Sequence, residues 1–152
     1  MSPDDATPFC GGTIITNRHI LTAGHCTYDS YIDDVKNPAS IQVLVGDHST
    51  TDSVEDRHNI SSIRNHPKFN NENADYDFSI LTLSTPLTFS PTASPICLPA
   101  SVNSQYTDMV ATVSGWGHTS ASGQSSPTLQ EVNVTVLSNE ICNDYYPGNI
   151  EK

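Results

Sequence analysis

The alternation of apolar and polar residues in short runs is the feature that most limits what this chain of 152 residues can fold into. Apolar residues occupy every second position at 41–45 and again at 132–136. Turn-forming residues separate these runs, and no long segment has the 3.6-residue period of a helix. Strands are therefore predicted at 14–15, 20–21, 41–45, 60–63, 75–83, 109–113 and 132–136, polar loops at 27–39 and 47–58, and a single short helix at 138–144. This pattern is typical of an all-β barrel or sandwich.

Composition excludes several classes of protein. Hydrophobic residues make up 36% of the chain and charged residues 15%, which is enough for a core and argues against disorder. The formal net charge of −11 argues against nucleic acid as a partner, because no basic patch is present to neutralise phosphates. No apolar run approaches the ~18 residues that span a bilayer, so no membrane partner is predicted. We also predict no cofactor.

Four cysteines without metal-type spacing indicate an oxidising compartment, and three disulfide pairings are possible. The first residues have neither the basic nor the apolar region of a secretory signal. We therefore expect the chain to be part of a longer secreted protein, or to start late relative to it.

The stretch from Cys10 to Cys26 holds two apolar runs between two cysteines, with His25 directly before the second cysteine. Two short strands joined by a disulfide would hold the imidazole in a fixed place, as acid–base chemistry requires. The residues alone also allow a surface histidine beside a structural cystine. A zinc site is disfavoured, because neighbouring His25 and Cys26 chelate one ion poorly and no Cys-x-x-Cys accompanies them. We predict no metal ligands.

An imidazole base needs a carboxylate that fixes its tautomer, and Asp75 and Asp77 are the candidates. Because they lie two apart on a predicted strand, both should point to the same side, and geometry does not choose between them. Two ordinary solvated turn residues are the other interpretation of this stretch.

These segments resemble the trypsin/chymotrypsin-like serine proteases. Residues 10–15 and 22–26 match that family's segment around the catalytic histidine, and 77–83 matches the segment that begins with its catalytic aspartate. The resemblance implies that His25 is the general base, that Asp77 rather than Asp75 orients it, and that Cys10 and Cys26 form a disulfide. Weaker matches lie at 65–69, 95–99, 114–117 and 137–143.

The resemblance also implies a trypsin-like double β-barrel that is truncated at both ends. Residues 1–99 would form most of the N-terminal barrel, 100–108 a linker, and 109–152 the first hairpin of an incomplete second barrel. The family partners of Cys97 and Cys142 would lie outside the chain, so both cysteines are expected to be unpaired. Unpaired strand edges of a half-built barrel also predict poor solubility.

The family's nucleophile segment, Gly-Asp-Ser-Gly-Gly, does not occur in residues 1–152. The nearest string, at 46–49, lies on the wrong side of Asp77 in chain order. We therefore predict a fragment of a secreted, extracellular trypsin-like serine endopeptidase that is inactive by itself. The parent would act on protein or peptide substrates and meet protease inhibitors. The alternative is a non-catalytic homologue that acts as a binding module.

Smaller candidate sites complete the predictions. Asn59 and Asn133 begin glycosylation sequons, which a secreted parent could use. Asp47, Glu55 and Asp56 bracket a loop that binds calcium in some members of the resembled family. Because this loop has no clear ligand series, a solvated acidic loop is the favoured interpretation.

Overall fold

The computed structural model describes residues 8–51, 56–101 and 106–147. The chain divides into two compact units, Met1–Leu98 and Pro99–Lys152. Strands carry most of the regular structure in both units and the helices are short, so the all-β prediction is confirmed.

The first unit is built on antiparallel strands. In chain order its elements are β1 (Thr13–Ile14), β2 (His19–Thr22), the helical turn α1 (Gly24–Thr27), β3 (Tyr28–Asp29), β4 (Asp34–Val35), a 3-10 helix (Pro38–Ser40), β5 (Gln42–Val45), β6 (Asp56–Asn65) and β7 (Ser79–Leu83). Five of the strands form one sheet with the order β1-β2-β7-β6-β5, and β3 and β4 form a separate two-residue ladder.

Strand β7 lies in the middle of this sheet, and its side chains alternate as a half-buried strand requires. Ser79, Leu81 and Leu83 are buried, whereas Ile80 between them is 36% exposed. The core around β7 consists of Ile20, Ile41, Val45, Ile60, Leu81, Leu83, Leu87 and Ala93. Full burial of one such aliphatic side chain stabilises the fold by about 1.5–3 kcal/mol, so this cluster anchors the strands that lead to the site.

The register of the sheet brings three strand ends to one level. Ser79 at the start of β7 pairs with Thr22 at the end of β2 and with Asn65 at the end of β6. The chain enters α1 just beyond Thr22, and Asp77 lies just before Ser79. The residues of the candidate site therefore lie immediately beyond the end of the sheet.

Three sequence-based boundaries are wrong. The strand predicted at 75–83 begins only at Ser79, because Ala74 and Tyr76 adopt left-handed backbone angles, φ 58° and 49°, that a strand does not allow. The predicted loop at 47–58 ends early, since β6 already pairs with β5 from Asp56. The predicted loop at 27–39 contains β3 and β4. Main-chain pairing extends these strands through polar residues that apolar alternation does not detect.

The second unit contains β8 (Val110–Gly115), β9 (Gln130–Thr135) and the helix α2 (Asn139–Tyr145). The two strands form an antiparallel hairpin. The helix predicted at 138–144 is confirmed, with Ser138 as its N-cap, because the Ser138 hydroxyl accepts a hydrogen bond from the Ile141 N–H. None of the described residues of this unit is buried. The hairpin thus has no core of its own within the described residues.

Over the described ranges, no helix has the length and apolar character required to cross a bilayer.

Candidate active site

His25 lies in the four-residue helical turn α1, which follows β2 after the single residue Ala23. The turn buries Gly24, Cys26 and Thr27 and leaves the His25 side chain 59% exposed. The imidazole is therefore presented to solvent from a backbone whose other three residues are held in the protein interior.

A disulfide between Cys10 and Cys26 fixes the residue directly after His25, as predicted. A loop of this size stabilises the folded state by roughly 3 kcal/mol in the chain-entropy model. The side-chain donors of Cys10, His25 and Cys26 lie within 4.8 Å of one another. Because the two sulfurs are bonded to each other, this cluster offers no thiolate that could hold a metal ion.

Asp77 binds both the backbone and the ring of His25. Its Oδ1 accepts a hydrogen bond of 2.8 Å from the His25 N–H, and its Oδ2 lies 2.7 Å from His25 Nδ1. The Gly24 backbone N–H also lowers the pKa of this carboxylate. The first turn of a helix has N–H groups without intrahelical partners, and Asp77 satisfies that of His25 from 52 residues away in sequence.

These hydrogen bonds set the ionisation of Asp77. Partial burial alone would raise the pKa of Asp77, but the hydrogen bonds from the His25 ring and backbone, the charge of His25 when it is protonated and, last, the Gly24 backbone outweigh it. The net pKa lies below its ordinary value. The ionised carboxylate can only accept hydrogen bonds, so in the neutral imidazole His25 Nδ1 carries the proton and Nε2 the lone pair; the Cys26 Sγ that lies 3.5 Å from Nε2 is a disulfide sulfur and has no proton to donate. The arrangement leaves a basic nitrogen on an exposed ring.

Asp75 does not contact His25. Its carboxylate accepts a hydrogen bond of 2.8 Å from the Asn73 side chain, and its backbone bridges to Asn70. The expectation that both carboxylates point to the same side is wrong, because left-handed Tyr76 separates them and Asp77 sits in a tight turn closed by the Phe78 N–H and the Tyr76 carbonyl. The structure brings Asp77 alone to the histidine.

Phe69 packs directly on the backbone of the histidine turn. A Cβ atom on Gly24 would lie 2.8 Å from the Phe69 ring, closer than real Cβ contacts. The Phe69 ring also meets Tyr28 edge to face, with centroids 5.8 Å apart. Gly24 is therefore required by the close approach of an aromatic ring.

Sequence reasoning missed two contributors to the site. The Gly24 N–H has no side-chain signal, so no pattern in the sequence could reveal it. Thr27 and Ser79 are the second contribution, as a hydrogen-bonded buried pair. The sequence does contain one sign of this pair, because Thr27 follows His25 by two positions and Ser79 follows Asp77 by two.

The other predicted residues are two cysteines, two sequon asparagines and the acidic residues of one loop. Cys97 is an exposed free thiol and Cys142 a half-buried one. Asn59 on β6 and Asn133 on β9 are exposed. Glu55, from the loop considered for calcium, lies outside the described residues, so that site stays untested. Among the hydrogen bonds of the described residues, none joins the His25 ring to a hydroxyl group.

Comparison with protein families gives one match that spans nearly the whole chain. The family model described as Trypsin matches residues 2–152. Trypsin-1 of Astacus astacus is 37% identical over 140 residues, which cover 91% of this chain and 57% of that protein.

Two other similar proteins give the same result. Trypsin of Sus scrofa is 34% identical over 99% of this chain and 61% of its own length. The proclotting enzyme of Tachypleus tridentatus is 34% identical over 93% of this chain and 39% of its own length. The chain therefore spans between about two fifths and three fifths of the length of these curated relatives.

Proposed function

Since the chain belongs to the trypsin family of serine proteases, we propose that it is part of a secreted serine endopeptidase in which His25 is the general base and Asp77 its orienting acid. The two hydrogen bonds that Asp77 accepts from the backbone and ring of His25 carry this proposal. A surface histidine beside a cystine would not need a partly buried carboxylate on its ring.

The proposed reaction is hydrolysis of a peptide bond in a protein or peptide substrate. His25 Nε2 takes the proton of a serine hydroxyl as the serine oxygen attacks the peptide carbonyl, and then returns that proton to the leaving amine. Asp77 holds the ring with Nε2 outward and stabilises the imidazolium that forms between the two steps. The exposed position of the ring suits this role, because both nucleophile and substrate must reach Nε2.

The five-stranded sheet of the first unit fits the first barrel of the trypsin-like fold, and the hairpin of the second unit fits an incomplete second barrel. We assign residues 1–99 to the first barrel, 100–108 to the linker and 109–152 to the start of the second barrel. In this assignment the attacking serine belongs to the parent protein outside residues 1–152, because the chain contains no Gly-Asp-Ser-Gly-Gly segment.

The chain by itself is accordingly proposed to be inactive. A fluorophosphonate probe, which modifies activated serines, should label none of its serines. Stoichiometric labelling of one serine would contradict the assignment. Sequencing the transcript beyond the codon of Lys152 separates an enzyme from a binding module, since a serine within Gly-Asp-Ser-Gly-Gly supports the enzyme and another residue there supports the module.

The proposed compartment is extracellular, and the Cys10–Cys26 disulfide supports it because such bonds persist in oxidising environments. Protease inhibitors are the expected protein partners there. Expression with a secretory leader in eukaryotic cells tests the exposed sequons, since glycosylation at Asn59 or Asn133 adds mass that an amidase for N-glycans removes. Substitution of each asparagine by glutamine identifies the site.

Catalysis is tested in a chimera in which this chain replaces the matched segment of Astacus astacus Trypsin-1, which supplies all residues outside the match. We expect the chimera to hydrolyse peptide amide substrates. His25→Ala and Asp77→Asn should each abolish most of kcat, with a loss of about 10⁴ for the aspartate, the value known for this substitution in related proteases. Asp75→Asn is the matched control and should leave kcat unchanged. Equal losses at Asp75 and Asp77 would refute the assignment of roles.

A further inference from the structure

Two buried hydroxyl groups join the same segments that carry His25 and Asp77. Thr27 and Ser79 are each 1% exposed, and they are the buried polar side chains of the described residues. Their oxygens lie 3.1 Å apart. Thr27 follows His25 by two residues and Ser79 follows Asp77 by two, so the turn α1 and the segment that enters β7 are joined twice at the same separation of 52 residues.

The hydroxyl pair lies at the row of strand ends. Ser79 is the central member of this row, between Thr22 on β2 and Asn65 on β6. Thr27 folds back over the row, and its hydroxyl donates to Asn65 Oδ1 at 2.6 Å. The turn that carries His25 is thereby fastened to the end of β6 as well as to β7.

A count of protons shows which of the two hydroxyls donates to which acceptor. The Thr27 hydroxyl has one proton, and three acceptors lie near it: Gly24 O at 3.0 Å, Asn65 Oδ1 at 2.6 Å and Ser79 Oγ at 3.1 Å. The Ser79 hydroxyl can supply the second proton, since its other acceptor, Arg64 O, is 3.5 Å away. Because the Thr27 hydroxyl also reaches Gly24 O within its own turn, the Ser79 hydroxyl is the one that depends on α1 and β7 keeping this register.

We propose that Thr27 and Ser79 are positioning residues for the proposed reaction. Their hydrogen bond holds α1 at the distance from β7 at which the Asp77 carboxylate reaches both the backbone and the ring of His25. Apolar side chains of similar size would fill the same volume, but they would impose no fixed distance or direction between the two segments. The inference rests on the proposed function, because it concerns the orientation of the general base.

The test compares variants of the chimera described above. The double variant Thr27→Val with Ser79→Ala replaces both hydroxyls by apolar groups of similar shape, and it also removes the donor that Asn65 Oδ1 and Gly24 O receive from Thr27, so activity is measured at a temperature well below unfolding. Its kcat should fall about tenfold to a hundredfold while KM changes by less than about twofold, because substrate contacts remain but the base is misplaced. The single variant Thr27→Ser, with Ser79 unchanged, keeps both hydroxyls, and its kcat should stay within about threefold of the parent value.

Ser61→Ala is the control for loss of a hydroxyl that donates a hydrogen bond to β7. The Ser61 hydroxyl donates to the Thr82 carbonyl of β7, but Ser61 is exposed and lies away from the row of strand ends. This variant should keep the parent kcat. A fall equal to that of the double variant would show that any lost hydrogen bond to β7 lowers activity, and it would overturn a specific positioning role.

Nuclear magnetic resonance gives a readout that does not depend on turnover. In the folded double variant the His25 amide proton, which is hydrogen-bonded to Asp77, should exchange about tenfold faster, and the strongly deshielded Nδ1 proton should shift upfield. Parent-like kcat and parent-like His25 signals would overturn the inference. A chimera that is inactive with Thr27 and Ser79 intact overturns the proposed function instead, and the resonances then decide the positioning role. If the double variant does not fold, Ser79→Ala alone is held to the same expectations.

Discussion

Replacement of Asp77 by asparagine should destabilise the fold by an amount that depends on pH. The carboxylate accepts hydrogen bonds from the His25 ring and the His25 backbone. Hydrogen bonds to a charged group contribute about 1.5–3 kcal/mol and neutral ones about 0.5–1.5, so each of the two bonds weakens by about 1 kcal/mol. At neutral pH we expect a loss of about 2 kcal/mol, since asparagine retains one acceptor and the Asp77 side chain is only 25% exposed.

The dependence on pH follows from the lowered pKa of Asp77 in the folded chain. In the unfolded chain an aspartate titrates near about 3.9. The stabilisation by the ionised form is therefore fully present above that value, and it is lost as the pH falls through the lower folded pKa. Below the folded pKa, Asp77 is protonated and resembles asparagine, so the difference in stability between the two proteins should disappear.

Urea unfolding of the chimera and its Asp77→Asn variant, from neutral pH down through the folded pKa, measures this difference. Asp75→Asn serves as the control and should change the free energy of unfolding by less than about 0.5 kcal/mol at every pH, because Asp75 bonds only within its own turn. A loss at Asp77 that is the same at neutral and acid pH would refute the electrostatic reasoning. In the same variant, ¹⁵N spectra should show the His25 proton on Nε2 instead of Nδ1, because the asparagine amide can donate to Nδ1.

Three further predictions concern the surroundings of the site. Gly24→Ala should lower the free energy of unfolding by about 1–3 kcal/mol through overpacking against Phe69, whereas Gly11→Ala, where an added Cβ meets nothing within 4 Å, should change urea unfolding little. Joint replacement of Cys10 and Cys26 by serine should cost roughly 3 kcal/mol in urea unfolding, and no loss would contradict a structural role for the disulfide. The isolated chain should aggregate in size-exclusion chromatography, because a two-stranded hairpin with exposed valines is marginally stable; monomeric, cooperatively unfolding material would contradict this.

Period-two alternation was sufficient to predict most of the sheet. The buried side chains of β7, at Leu81 and Leu83, are those that the pattern indicates. The boundaries failed where the backbone rather than the side chains decides the conformation. Tyr76 is left-handed although a tyrosine favours strands, and polar Asp56 joins β6 through main-chain pairing. Neither effect can be predicted from local composition.

The candidate site, like the sheet, was predicted only in part from the sequence. The roles of His25 and Asp77 were suggested by the resemblance to a family, and the structure places the two side chains in contact. Alternation alone could not separate Asp77 from Asp75, because that requires the turn at Tyr76. The contribution of the Gly24 N–H could not be predicted from the sequence, because a backbone donor is not visible in the identity of a side chain.

Three consecutive residues of α1 are tied to three different parts of the chain: His25 to Asp77, Cys26 to Cys10 through sulfur, and Thr27 to Asn65 and Ser79. The disulfide is the one of these three links that does not set the orientation of the ring, because the Asp77 carboxylate and the hydroxyl pair fix it. In a reducing medium the imidazole should therefore keep its position even as the molecule as a whole becomes easier to unfold.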